Sequence, residues 1–400
     1  PNCELIIPNK LTFYNTDWMI FTDEEIYDII VRDRFLSKIQ FNKAVQLIKN
    51  VTHQIMGIIT KLKLKLMTGP VVDYYTVDIF YRLAIKMSIK CFYMVVGIKG
   101  TMKFYDYRWP IKRIKPNTCI NLFEYMEKKE KNIYSTHKKD TTLYRMRRVF
   151  YIKRRQLQMY NFLNPDVRNG NTDVEILKRG LQALPKSSFK DFYINYFQEL
   201  NKIKFDNKKR IYISLHFFPE ATMNYFSENN TLINHDDLVL EILNRFNNIY
   251  NFIIKEHPVM SGKRSLSFYE KIRKIPNCYL VKTETDTYDV VAACDVVLSW
   301  AGSIGWEAPF LGKKTINIMK PYYHVEGISN YFFDYKDLMT NFAERIEGLD
   351  YDNDQYCKDL NERFQSFSFE GIPVPTYNTS NNIELMAKST DQLVYDIFQL

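Results

Sequence analysis

Phe252-Ile253-Ile254-Lys255-Glu256-His257-Pro258 and, further on, Asp295-Val296-Val297-Leu298-Ser299-Trp300-Ala301-Gly302-Ser303-Ile304-Gly305-Trp306-Glu307-Ala308 share one layout. A short apolar run that reads as a buried strand ends in a polar cluster, and a segment that reads as a helix follows. In an open α/β sheet, ligands bind in the crevice beyond the carboxyl ends of the strands. Two polar clusters delivered to one such edge point to a site for a phosphorylated ligand.

The same rhythm extends on both sides. Residues 210–215, 252–255, 278–281, 295–298 and 315–318 read as strands. Residues 236–247, 265–274, 287–293 and 303–311 read as the helices between them. Five strands alternating with helices predict a parallel, Rossmann-like sheet. The first half carries a similar pattern: strands at 18–21, 62–67 and 91–96, with helices at 42–60 and 73–89. Residues 141–162 read as a long basic helix, 164–173 as a linker, and 174–184 and 189–202 as helices. A last helix at 390–399 is free to pack on either half. The expected domains are 1–200, with a basic helical insertion, and 201–385, followed by a C-terminal helix at 386–400.

Bulk properties agree with two domains. Four hundred residues exceed one ordinary core, and the 46% apolar fraction is globular. No apolar run approaches the roughly 18–20 residues that span a bilayer, and the N-terminal residues lack a signal-peptide pattern. The six cysteines (Cys3, Cys91, Cys119, Cys278, Cys294, Cys357) are scattered without a C-x-x-C. They predict neither a disulfide framework nor a zinc site, and a reducing cytoplasm fits best. Cys91, Cys278 and Cys294 lie in or beside apolar runs and read as small buried hydrophobes.

Charge is divided unevenly. Residues 1–200 hold 34 Lys/Arg against 19 Asp/Glu, whereas residues 201–400 hold 21 against 27. The basic half is expected to face an anionic membrane surface, an acidic glycan or a lipid phosphate. No nucleic-acid module is visible, and neither is a Walker, zincin, nucleophile-elbow or dinucleotide motif.

Particular residues then carry the chemistry. Ala301, Gly302 and Ser303 let the backbone approach a ligand, and the helix that follows offers unbonded N–H groups to an anion. Ser303 also suits an N-cap. Glu307, four residues on, lies one turn inward, where a carboxylate can accept ribose hydroxyls; favourable charge in the first helical turn is the plainer explanation. His257, framed by Lys255, Glu256 and Pro258 at a strand end, can donate to a phosphate or leaving group. Arg264 suits bidentate phosphate contact. Glu220, just past another strand, either bonds a sugar or opens a helix. Asp73 is the first-half candidate for a general base, with a helix N-cap as its structural alternative. Asp350-Tyr351-Asp352 spells D-x-D but reads as a solvated turn, and His235-Asp236-Asp237 as a helix cap. No metal site is expected.

In order, Phe218-Pro219-Glu220-Ala221-Thr222, Ile254-Lys255-Glu256-His257-Pro258 and Gly302-Ser303-Ile304-Gly305-Trp306-Glu307-Ala308, with Gly312-Lys313, resemble the capsular polysaccharide biosynthesis family. That family includes the Kdo transferases that start and extend capsule linkers, and some bacterial sialyltransferases share a similar His-Pro element. The resemblance covers residues 205–330, with a looser echo in Arg32-Asp33-Arg34 and Val72-Asp73-Tyr74-Tyr75. It implies a GT-B fold, with two Rossmann-like domains whose parallel sheets face a central cleft and with the donor held by the second. It also implies metal-independent glycosyl transfer, in which His257 contacts the donor phosphate while Ser303 and Glu307 help bind the nucleotide.

The expected activity is transfer of a sugar from a nucleotide-sugar co-substrate to a surface polysaccharide or glycolipid acceptor. CMP-Kdo leads as donor by resemblance, with a UDP-sugar close behind. The expected setting is cytoplasmic, with peripheral contact at an anionic membrane. A nucleotide-sugar epimerase of the same architecture and a non-catalytic glycan-binding scaffold are the alternatives.

Overall fold

A computed structural model describes residues 20–98, 100–115, 120–128, 197–217, 221–260, 264–373 and 379–399. The expectations for 129–196, among them the basic helix at 141–162, lie outside the described residues, as do Glu220, Cys3 and Cys119.

The chain builds two sheets. The second is the one the opening sequence pattern anticipates. Its strands are β4 (Arg210–Ser214), β5 (Asn251–Lys255), β6 (Cys278–Val281), β7 (Val296–Ser299) and β8 (Lys314–Asn317), all parallel, in the order β6-β5-β4-β7-β8. Parallel strands covered on both faces read as continuous apolar runs, and every described residue of β5 and β7 is buried. One face packs Ile211, Ile254, Leu298 and Ile316 with helices α6 (His235–Phe246), α7 (Leu266–Lys274) and α10 (Tyr335–Glu347). The other packs Tyr212, Ile253 and Val297 with α8 (Thr287–Ala293) and α9 (Ile304–Glu307). Strand order reverses on either side of β4, so a crevice must open beyond its carboxyl end.

The first sheet departs from the expected parallel, Rossmann-like arrangement. Its order is β1-β2-β3-β9, from β1 (Leu66–Thr68), β2 (Lys90–Val96), β3 (Thr101–Tyr105) and β9 (Phe369–Glu370). Only β1 and β2 are parallel; β2 with β3 and β3 with β9 run antiparallel. Residues 97–100 are far too few for a crossover helix and turn the chain straight back, with Gly100 at φ +83°. The expected strand at 18–21 is absent at Ile20 and Phe21, which form a bend.

Helices α1 (Asp23–Arg32), α2 (Phe41–Leu62) and α3 (Tyr75–Lys86) pack Ile29, Ile48, Ile79 and Leu83 into this unit's core. α1 begins with a capping box, in which Thr22 and Glu25 each accept the other's backbone N–H. The short helices α4 (Leu122–Lys128) and α5 (Ala221–Asn224) flank the junction, and α11 (Asn353–Phe367) and α12 (Ser380–Gln399) close the chain. α12 packs on the first sheet: Leu393 and Ile397 join Phe92, Phe104 and Phe369 in one cluster. Thus Phe369–Glu370, inside the expected 201–385 domain, completes the first sheet instead. The stretch expected as a helix at 189–202 reaches β6 at its far end, where Gln198 bridges Val281 in parallel.

Among the described residues, no helix is long and apolar enough to cross a membrane. The described cysteines Cys91, Cys278, Cys294 and Cys357 are all buried free thiols. Asp350-Tyr351-Asp352 serves packing: Asp352 caps α11 by accepting from the Asp354 and Gln355 N–H groups, and the Tyr351 hydroxyl accepts from the Thr315 N–H at 2.8 Å.

Candidate active site

Three strand ends meet beside β4. From β4 comes His216, from β5 Lys255, Glu256 and His257, and from β7 the Gly302 turn. What fixes the ends of β4 and β5 together is Arg264, 4% exposed. Its Nε donates to Glu256 Oε2 at 2.8 Å, one terminal nitrogen donates to the His216 carbonyl at 2.7 Å, and the other pairs with Asp236. Glu256, also buried, accepts its neighbour His257 N–H at 2.7 Å and the Tyr269 hydroxyl at 2.5 Å. Sequence reading gave Arg264 to a phosphate; its guanidinium is instead turned toward two carboxylates and a carbonyl, where it ties the ends of β4 and β5 to α6.

His235 was read as part of a cap. Its ring is fully buried 4.2 Å from Trp300, accepts the His216 N–H at Nε2 (3.1 Å) and meets Asp236 at Nδ1 (2.8 Å). An accepting Nε2 requires the proton on Nδ1, so this imidazole is neutral. His216, which the sequence reading passed over in favour of Glu220, has its pKa pushed down to about 3. Burial is the main cause, and electrostatic interaction with His235, His257 and Arg264 adds to it. The only sequence signal for either histidine was its place just after a strand or at a helix start.

The His216 ring fills the space above the turn. A Cβ on Gly302 would lie 2.9 Å from His216 Nε2, so this position needs glycine for close approach. The Gly302 N–H donates to the Ser299 hydroxyl at 3.2 Å. Ser303 is exposed and makes no side-chain cap, contrary to that reading. Among the described residues no acceptor meets the Ser303 or Ile304 N–H, so both remain available to an anion. The helix itself is shorter than expected. After Glu307 it tightens to a 3-10 turn over Ala308–Leu311 with Pro309 inside it, and ends at Gly312 in the left-handed region, φ +73°.

Glu307 is only 5% exposed and lies among tyrosines. Its charge raises the pKa values of Tyr125, Tyr288, Tyr322 and Tyr323, in each case after burial. Lys255 is likewise buried, which lowers its pKa, while Asp286, Glu256 and Glu284 pull it back up. His257 is half-buried, its ring 6.1 Å from Phe217.

Asp73 is 36% exposed at its side chain and ion-pairs with Arg34. It does not cap α3. That cap comes from Asp33, whose Oδ2 accepts both the Tyr75 N–H (2.8 Å) and the Tyr225 hydroxyl (2.9 Å). Arg32 continues the same seam, donating to the Asn224 and Ser227 carbonyls at 2.9 and 2.8 Å. The Arg-Asp-Arg echo therefore joins the first unit to the segment leaving β4. A cavity of about 440 Å³ opens away from the strand ends, between Glu24, Asp28, Arg82, Lys86, Arg108 and Glu228. Arg82 there is already paired with Asp28 and Asp78. Among the described residues no group of three His, Cys, Asp or Glu side chains could hold a metal ion.

No family model and no curated protein matches the chain. Solved structures do. The chain is similar to Thermosulfurimonas dismutans KpsC, a β-Kdo 2,7 transferase, at 12% identity and TM-score 0.39, over 94% of this chain and 97% of that one. It is similar to Neisseria meningitidis UDP-GlcNAc 2-epimerase at 16% identity and TM-score 0.28, over 80% and 77%. The wall teichoic acid polymerase TagF is similar at 12% identity and TM-score 0.24, over 53% and 47%.

Proposed function

We propose that the chain is a GT-B-like glycosyltransferase, moving a sugar from a nucleotide donor to a surface polysaccharide or glycolipid without a metal. The observation that carries this is the convergence of His216, His257 and the Gly302 turn at the switch point of a parallel sheet. The crevice there offers what a phosphodiester or diphosphate needs: an imidazole and two unbonded backbone N–H groups. By resemblance CMP-Kdo leads as donor, followed by a UDP-sugar.

In this reading the acceptor hydroxyl oxygen attacks the anomeric carbon as the bond from that carbon to the phosphate oxygen breaks. Negative charge gathers on the departing phosphate, where His257 and the Ser303 and Ile304 N–H groups stabilise it. Arg264 acts one step back, holding His216 and Glu256 in place. Lys255 adds positive charge beneath the strand ends. Glu307, buried beside Tyr288, serves as the carboxylate for the ribose or fixes the tyrosines that line it. The proton leaves for a carboxylate, Asp73 on the first unit or Glu220 in the segment after β4. Asp73 would first have to release Arg34, since a paired carboxylate is a weaker base. The protein works in the cytoplasm, against an anionic membrane met by its basic half.

Thermal stabilisation by CMP, CDP, UDP and GDP, with and without EDTA, tests the reading. One nucleotide should raise the melting temperature, EDTA should leave that shift in place, and His257→Ala should remove it. No shift from any of the four favours the non-catalytic scaffold.

A further inference from the structure

Lys103 projects from β3 of the first sheet and is 8% exposed. Its ammonium sits 4.0 Å from the ring centroid of Tyr322 and 5.9 Å from that of Tyr105. Among the described residues it has neither an ion pair nor a hydrogen bond. Burying an ammonium without an anion is costly, and ring faces offset only part of that cost. Accordingly, burial lowers its pKa to about 8.

Two more buried nitrogens around Tyr322 lack partners among the described residues. Arg363 on α11 donates to the Tyr322 carbonyl at 3.3 Å, but its buried Nε meets no acceptor. His324 is 7% exposed, and its Nδ1 has none either. Arg363 and Lys320 together help push His324 down to about 4, after burial. The carboxylate facing this group is Glu326, with its side chain 83% exposed and 3.8 Å from His324. The cluster joins the nucleotide crevice through two side chains. Tyr322 packs on Tyr323 at 5.0 Å, and the Tyr323 hydroxyl donates to the Gly302 carbonyl at 3.1 Å.

We propose that Lys103 and Arg363, with His324 beside them, form a seat for the acidic group, carboxylate or phosphate, of the acceptor. The seat spans first-sheet and second-unit residues, next to the turn where the donor phosphate would lie. This inference rests on the transferase reading for the word acceptor, but the seat itself does not depend on it.

Binding of glucuronic acid, glucose 6-phosphate and methyl glucoside to the full chain tests it, with the nucleotide response measured on the same samples. Both acidic sugars, or glucose 6-phosphate alone if the seat takes phosphate, should bind better than methyl glucoside. Lys103→Met should weaken that binding about tenfold or more, Arg363→Gln should weaken it as well, and Lys103→Arg should retain it. Without ligand, Lys103→Met should melt about 2 °C or more higher, because a buried unpaired charge is gone. Acidic sugars that bind no better than methyl glucoside would overturn the proposal. So would undiminished binding of the acidic sugars by Lys103→Met and Arg363→Gln chains that keep the wild-type nucleotide response. If Lys103→Met fails to fold, Arg363→Gln alone decides. Lys103-dependent binding of acidic sugars without any nucleotide response would leave the seat standing and remove the transferase reading.

Discussion

Arg264 decides more at the residue scale than any side chain that would touch a ligand. Its guanidinium ion-pairs with Glu256, which is fully buried, and with the partly buried Asp236. Removing it strands a buried carboxylate, so Arg264→Leu should cost about 3–5 kcal/mol, read as a lower urea midpoint. An unchanged midpoint would mean the clamp is dispensable.

His216 gives a second test, with the sign set by its pKa of about 3 against an ordinary 6.5. The unfolded chain takes up this proton first as pH falls. Stability is therefore complete above about pH 6.5, and the His216 share falls by about 1.4 kcal/mol per pH unit toward about 3. Asp236, held below the ordinary carboxylate value of 3.8 after burial is offset by His235 and Arg264, loses its share only at lower pH. Between pH 6.5 and 4.5 the His216→Gln chain should thus show a shallower slope than the wild type; equal slopes would contradict the assignment. None of this pairing was legible in the sequence. His257 and Gly302 could be found because each follows an apolar run, whereas Arg264–Glu256 and His216–His235 are contacts made only by folding.

At the scale of elements, the Gly302–Gly312 segment shows how much of a turn is dictated from outside it. A Cβ on Gly305 would lie 2.0 Å from the Tyr323 hydroxyl and 2.7 Å from Asn317 Oδ1. That hydroxyl bonds both Asn317 (2.9 Å) and the Gly302 carbonyl, so it has nowhere to go. Gly305→Ala should cost about 1–3 kcal/mol in thermal or urea unfolding, and Tyr323→Phe in the same chain should recover part of the loss by removing the clashing oxygen. Additive losses would show that the hydroxyl is not the obstacle. The sequence announced this helix at 303–311 and missed its change to 3-10 geometry, although Pro309 was the visible cause.

At the scale of the whole molecule, the two halves differed in legibility for one physical reason. The second sheet is parallel and doubly covered, so its strands stand out as apolar runs separated by helices. The first sheet is mixed and borrows its last strand from Phe369–Glu370, a pairing no local pattern could disclose. Phe369 is fully buried, 4.8 Å edge-on to Phe104, under α12. Phe369→Ala should cost about 3–5 kcal/mol, as a cavity in the first unit's core, and an effect below about 1 kcal/mol would mean that β9 is not part of that unit.

The most direct test of the central claim is release of free nucleotide from CMP-Kdo and from a panel of UDP-sugars by the purified chain, with and without an acidic glycan acceptor. The account predicts release from one donor class, faster with acceptor, and slower by about 100-fold or more in His257→Ala with the fold intact. Release that His257→Ala leaves unchanged, or no release from any donor, would contradict it.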